Sequence, residues 1–379
     1  NWVKLVSGCE NKGFTRLIAT PVLIEIFESI GYRWHRQILK PKSALIELKD
    51  VRRNEDGTVQ RSKKGKTSKH HLPVPQTSEV QVIRDNLAII NKAFTEHCIC
   101  LDVTDEQLDI VCRAMAGNKG RRDLDLSRVQ LTRIFARGSM DKGGRFYRGW
   151  WQEIPSLYRP HITIDGLKTI EIDYTGMGIA IAYYLLDLPY DANADPYDIG
   201  LVRWQGKSDA RRKPIKQFVN ALINDEEQIY RLPKSLEKVI GLTHEQLLRL
   251  VRQKHGAVVD ARGDGIGLKA QFIDSKIAEK VMLWFVEDDN IVLPIHDSFI
   301  VRAGFEQYLS VAMTTAFREV TGRAVNIESE VVKSQDQFGM KAEEILSLQK
   351  YAQDTGDYSA YIATFDIDEI VFDTQQLMY

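Results

Sequence analysis

Residues 291 to 301 read I-V-L-P-I-H-D-S-F-I-V. Two apolar runs of strand length flank a polar His296-Asp297 pair. A carboxylate between buried strands is costly unless it is paired, hydrogen-bonded or bound to a cation. One other apolar run ends in an acid in the same manner: Thr169-Ile170-Glu171-Ile172-Asp173. The pattern predicts that Asp173 and Asp297 meet in space and hold a pair of divalent ions.

The rest of the chain bounds that expectation. With 379 residues, 44% hydrophobic and 27% charged, it has the balance of a globular protein of two or three domains. No run of 18 apolar residues exists, so no membrane span is expected. No secretory pattern opens the sequence, and a reducing cytoplasmic location is expected. Cys9, Cys98, Cys100 and Cys112 have neither disulfide-framework nor zinc-ribbon spacing, and His97-Cys98-Ile99-Cys100 lacks a second Cys/His pair to complete a metal site. The net charge of -1 does not suit a dedicated duplex-binding domain. Local tracts at Arg52 to His71 and Arg203 to Lys216 are strongly basic and suited to phosphates. After Lys350 the tail is acidic and without Lys or Arg.

Taken in order, residues 21 to 31 have helical apolar spacing, residues 43 to 49 alternate like a strand, and residues 52 to 76 form a polar, basic loop. Helices are expected at 78 to 97, capped by Ser78, at 104 to 116, and at 125 to 136. The segment from Gly138 to Pro160 interleaves aromatic and basic residues with glycines, a mix that suits stacking beside phosphates. A strand at 167 to 173 leads into a helix at 176 to 185. Further helices follow at 215 to 223, at 236 to 254 with Thr243 as cap, and at 268 to 286. The His-Asp hairpin, a helix at 305 to 322 and a strand at 326 to 332 complete the pattern. The turn Arg262 to Gly267 lacks the Gly-Lys-Ser/Thr ending of a phosphate-binding loop.

Three features bear chemistry. Two strand-borne aspartates suffice for Mg²⁺, which keeps waters and substrate phosphates as its other ligands. Arg212 and Lys216 stand one helical turn apart and place two cations on one face, fit for a triphosphate. The aromatic-basic segment comes just before the first carboxylate.

In this order the motifs resemble the A family of nucleic-acid polymerases and, in detail, the single-subunit RNA polymerases of phages and mitochondria. Ile170 to Thr175 is similar to the first palm motif, Arg212 to Asn224 to the fingers helix, Pro294 to Phe299 to the second palm motif, and Gly144 to Tyr147 to the strand-holding segment. The resemblance covers roughly residues 140 to 335. It implies an α+β, right-hand-like fold with an antiparallel palm sheet, fingers inserted at about 190 to 290, a mainly helical thumb-like or template-gripping region at 1 to 137, a palm region at 138 to 345, and an acidic tail at 346 to 379. Asp173, Asp297 and Tyr174 would form the metal set, with two Mg²⁺ or Mn²⁺ ions. Arg212, Lys216, Asn220, Asn224, Gly178 and Tyr174 would bind nucleotide, and Lys216 would protonate the leaving pyrophosphate. His296 would sit near the primer end, and Lys142, Arg145, Arg148 and Arg211 would contact nucleic acid.

Two departures from the family pattern matter. The DNA-making members carry a glutamate five positions after the first aspartate, which excludes a 2′-hydroxyl; Gly178 stands there in this chain, as in the RNA-making members. Asn224 stands where the fingers helix usually carries a tyrosine, and Asn220 where Phe or Met is common. The expected activity is template-directed transfer of ribonucleotides on a DNA template (or RNA), as a small RNA polymerase or primase-like enzyme, with an accessory replication or transcription protein as a further partner. The rivals are a primer-dependent DNA polymerase tolerant of ribose, a non-catalytic nucleic-acid-binding module of the same fold, and a hydrolase using His296 as base.

Overall fold

The computed structural model describes residues 3–7, 15–19, 22, 25, 45–61, 67–116, 120 and 122–330. The helical spacing of 21 to 31 and the acidic tail lie outside the described residues. In chain order the elements are β1 (Val3–Ser7), β2 (Thr15–Ala19), β3 (Ile46–Val51), β4 (Lys69–Leu72), α1 (Ser78–Glu96), β5 (Ile99–Leu101), α2 (Asp105–Ala116), β6 (Thr132–Ala136), β7 (Ser139–Tyr147), β8 (Ile162–Ile164) and β9 (Leu167–Tyr174). They continue with α3 (Met177–Leu185), α4 (Arg212–Ile223), α5 (Lys234–Ile240), α6 (His244–Asp260), α7 (Ile266–Glu287), β10 (Leu293–Ile295), β11 (Ser298–Arg302), α8 (Glu306–Thr321) and β12 (Ile327–Glu330).

The central sheet has six strands in the order β10-β11-β9-β8-β5, with β12 also paired to β9. Every pairing in it is antiparallel. Strand β9 shows why this sequence makes a central strand. Ile170, Ile172 and Tyr174 are buried on one face, while Thr169, Glu171 and Asp173 alternate onto the other. Arg159 closes on Glu171 at 2.8 and 3.1 Å, so that carboxylate is paired within the polar face.

The main core joins this sheet to α1, α2, α7 and α8. A second core is drawn from residues 179 to 266 and joins α3 through α6. The α3 helix belongs to both: Met177, Ala180 and Ile181 face the main core, Ile179 and Ala182 the second. A separate four-stranded sheet, β4-β3-β6-β7, pairs β3 with β6 in parallel.

Several expectations are corrected here. The helix expected at 125 to 136 is instead a turn followed by β6, which pairs with β3 and β7. Among the described residues the N-terminal region is therefore not mainly helical. Its α1 and α2 pack into the main core, and residue 137 falls in the β6–β7 turn. The cap of α1 is Thr77, whose hydroxyl accepts from Val80 N at 3.3 Å, so Ser78 is the first helical residue. The α7 helix packs mainly in the main core, apart from the second core.

Trp150 and Trp151 are both fully buried, so these aromatics are core and not a stacking surface. The Trp151 indole N–H donates to Pro294 O at 3.2 Å and its ring meets Phe94 edge-on at 5.5 Å. Replacing Trp151 with alanine is expected to cost about 3–5 kcal/mol of stability in urea unfolding, because a large cavity opens under β10. A loss under 1 kcal/mol would overturn this assignment.

Candidate active site

The His296-Asp297 turn joins β10 to β11, and His296 takes a left-handed φ of 54° to close it. Ser298 stands opposite Asp173 in the ladder, and Tyr174 N donates to Asp297 O at 3.1 Å. The sheet thus brings both aspartates to one end of neighbouring strands, as the apolar-acid pattern predicts. On the other side of β9, β12 sets Glu328 at the register position of Asp173.

The α4 helix presents its cations to this end. Pro214 lies in the first turn, where its missing N–H costs nothing. The Lys216 ammonium is 4.0 Å from Asp173 Oδ2. Arg212 pairs with Asp195 at 2.8 Å, and its guanidinium lies over the Tyr197 ring at 5.1 Å. Burial pushes the Tyr197 hydroxyl well up, helped by the charges of Asp297 and Asp173, whose fields both reach it.

A second group approaches Asp297 from β7 and α7. Gly143 and Gly144 have φ of 74° and 77°, where β7 shifts register against β6, and a Cβ on Gly144 would meet Phe135 at 2.8 Å. This turn delivers Arg145, which forms an ion pair with Asp274. Asp274 is 2% exposed. Burial raises its carboxyl to about 6, Arg145 opposes that shift and the Asp297 charge adds to it. The Tyr147 ring meets the His296 ring at 5.6 Å. Desolvation lowers the His296 imidazole from its usual value, with Arg145 acting in the same sense and the Asp297 charge opposing.

A pH prediction follows from Asp274. Its folded carboxyl titrates above the unfolded value of 3.8, so the folded state holds the extra proton between about pH 4 and 6. The stability contribution is present below that window and is lost as pH rises through it. For the metal-free protein, wild-type stability relative to Asp274→Asn is expected to fall between pH 4 and 6 in urea titrations. A flat difference across that range would refute the shift.

The remaining candidates divide. Gly178 lies at the start of α3 with open space: a Cβ there meets nothing within 4 Å. Tyr174 is different from the sequence expectation. Its side chain is 1% exposed and its hydroxyl donates to Met313 O at 2.6 Å, so only its backbone carbonyl remains for a metal, and its ring is not available to a nucleotide. Asn224 is also engaged: its amide N–H donates to Asn220 O at 2.8 Å and its Oδ1 accepts from Gln271 at 2.9 Å, tying α4 to α7. Asn220 is half-buried on the same helix. Arg211 is folded onto Asp209 and the carbonyls of Val202 and Arg203, which makes it a brace for the α4 lead-in. Arg148 pairs with Glu47 but stays half exposed, and Lys142 lies beside Gly265.

Sequence reasoning missed Asp274 and Tyr197. Asp274 was findable, because it falls on the apolar face of α7 between Ala270 and Ile277, at i+4 and i−3. No group of three or more His, Cys, Asp or Glu residues with metal-binding geometry occurs among the described residues. Cys98 and Cys100 bring their sulfurs to 3.2 Å without a further metal-binding partner of that kind. A pair of hard carboxylate oxygens at a partly open strand end does suit Mg²⁺ or Mn²⁺, which complete their shells with water and phosphate. Among the described residues no helix is long and apolar enough to cross a membrane.

No protein-family model matches the chain, and no curated protein does. Among solved structures it is similar to the POL domain of Pol1 from M. smegmatis in complex with DNA primer-template and dNTP, at 14% identity and a TM-score of 0.38. That match covers 76% of this chain and 58% of the other, so this chain spans less than two thirds of the length of that structure.

Proposed function

We propose that the chain is a template-directed nucleotidyltransferase and that ribonucleoside triphosphates are its substrates. The observation that carries this reading is the placement of Asp173 beside the Asp297 turn, with Lys216 4.0 Å from Asp173. A 3′-hydroxyl attacks the α-phosphorus, a new P–O bond forms, and the bond to the β-phosphate oxygen breaks to release pyrophosphate. Two Mg²⁺ or Mn²⁺ ions held by Asp173, Asp297 and the Tyr174 carbonyl would supply activation of the hydroxyl and neutralisation of the leaving charge. Lys216 and Arg212 hold the triphosphate, and Lys216 gives a proton to the departing pyrophosphate. Arg145, fixed by Asp274, bears on the strand end beside His296. The imidazole there positions the strand end by hydrogen bonding.

Gly178 supports ribose as the sugar, since the space over α3 is open. Replacing it with glutamate is expected to reduce ribonucleotide incorporation relative to deoxyribonucleotide by about 10–200-fold. An unchanged ratio would remove Gly178 from sugar selection. The function itself is tested by incorporation of labelled ribo- and deoxyribonucleotides on primed and unprimed single-stranded DNA, with Asp297→Ala alongside. Ribonucleotide products that vanish in the variant support the proposal, and the unprimed lane separates a primase from an extender. Deoxyribonucleotide-only products would assign a DNA polymerase. Strand binding without any product would favour a non-catalytic binding module.

A further inference from the structure

A cavity of about 450 Å³ lies between the four-stranded sheet and the far end of α4. Its walls come from β3, β4, β6 and β7 on one side, and from the α4 C-terminus and the α7 lead-in on the other. Lys49, Lys69, Arg137 and Arg262 line it, against the carboxylates of Asp50 and Glu226.

Arg262 is 8% exposed. Its Nη2 donates to Gln228 Oε1 at 3.1 Å, while Nε and Nη1 have no hydrogen-bond partner among the described residues. Nη1 of Arg137 is in the same position, although its Nη2 pairs with Glu226. Buried guanidinium donors are costly to leave unsatisfied, and their planar fork matches the oxygens of a phosphate. The arrangement calls for an anion. Lys49, Lys69 and Arg137 on the sheet side and Arg262 opposite them place cations on both walls, which suits more than one phosphate. Tyr147 also lines the cavity and touches His296, which connects the cavity to the carboxylate end of the sheet. A volume of this size encloses a ligand of a few hundred daltons, so a single strand fits and a duplex does not.

We infer that this cavity holds the backbone phosphates of a single-stranded nucleic acid, with Arg262 as its central donor. The direction assigned to the strand, from the cavity toward Asp297, rests on the nucleotidyltransferase reading; the binding itself does not. Sequence-independent binding of this kind has a salt signature. The slope of log affinity against log salt becomes shallower by about 0.7 for each phosphate of a single strand that the protein no longer neutralises.

The test is fluorescence anisotropy of a labelled oligodeoxynucleotide of about 12 nucleotides, in metal-free buffer across a salt series, with circular dichroism as the folding control. Arg262→Gln is expected to weaken binding at every oligonucleotide sequence and to lower the slope by about 0.7. Lys69→Gln, at an exposed position of β4 that lines the cavity, should lower it by about 0.7. Lys92→Gln, which removes an exposed cation of α1 that does not line the cavity, should leave affinity and slope as they are. Unchanged affinity and slope in the Arg262 and Lys69 variants would overturn the inference. Weakened binding of inorganic phosphate in these variants, with strand affinity intact, would also overturn it and leave a small-anion site. If strand binding depends on Arg262 while no nucleotide is ever incorporated, the proposed function fails and this inference stands.

Discussion

Asp297→Asn is expected to lower nucleotide incorporation by about 10³-fold or more while leaving the fold unchanged. The side chain sits on a two-residue turn whose shape is set by the φ of 54° at His296 and by the bond from Tyr174 N to the Asp297 carbonyl. Neither uses the carboxylate, so an amide of the same size keeps the turn. The substitution removes the negative charge that a divalent cation needs, and a metal ligand in phosphoryl transfer contributes several kcal/mol to transition-state stabilisation, about 4 of which correspond to 10³ in rate. Product formation is measured against Mg²⁺ and Mn²⁺ concentration, with thermal unfolding in parallel. Turnover within tenfold of wild type, at unchanged melting temperature, would remove Asp297 from the chemistry. Asp173→Asn should give a loss of similar size, and it also frees Lys216 from its carboxylate neighbour.

A stability effect as large as that at Trp151 is expected at Arg133. This residue is 1% exposed. Its Nε donates to Gly144 O, Nη1 to Glu279 Oε1 and Nη2 to Ser275 Oγ, each at 2.9 Å. The guanidinium lies between the Phe135 and Phe146 rings, 5.3 and 5.0 Å from their centroids. Burial alone disfavours its charge, and Glu279 offsets that cost. Arg133→Met keeps most of the volume and strands Glu279, so the expected loss is about 3–5 kcal/mol in urea unfolding. Adding Glu279→Gln should recover part of it, which distinguishes an orphaned charge from lost packing. A single-variant loss under 1 kcal/mol, or no recovery in the double variant, would refute the pairing. Because the same guanidinium holds the Gly144 carbonyl, the variant should also loosen Arg145, one residue on.

The parts of the site that announce themselves in the sequence are those where chain-local alternation and the site coincide. In β9 the alternation of Ile170, Ile172 and Tyr174 against Glu171 and Asp173 fixes which side chains face outward. The hairpin at His296-Asp297 and the α4 start at Pro214 are equally local. Arg133 hid β6 for the opposite reason. A buried arginine between Thr132 and Ile134 breaks the polar-out pattern, and the strand owes its place to parallel pairing with β3, far away in the chain. Trp150 and Trp151 read as a stacking surface because aromatic content says nothing about which way a ring faces. Asp274 makes sense only once Arg145 is beside it. The Tyr174 hydroxyl found its acceptor, Met313 O, in another helix, and no spacing rule could reveal that.

The two halves of the site differ in mechanical character. Asp173 and Asp297 are joined through rungs of one β-ladder, so their separation follows the backbone of the main sheet. Lys216 and Arg212 stand on a helix with its own core, joined to the main one through α3, whose two sides belong to different cores, and through the Asn224–Gln271 bond to α7. The carboxylate pair is thus set by one sheet, while the position of Lys216 above it depends on how the second core packs.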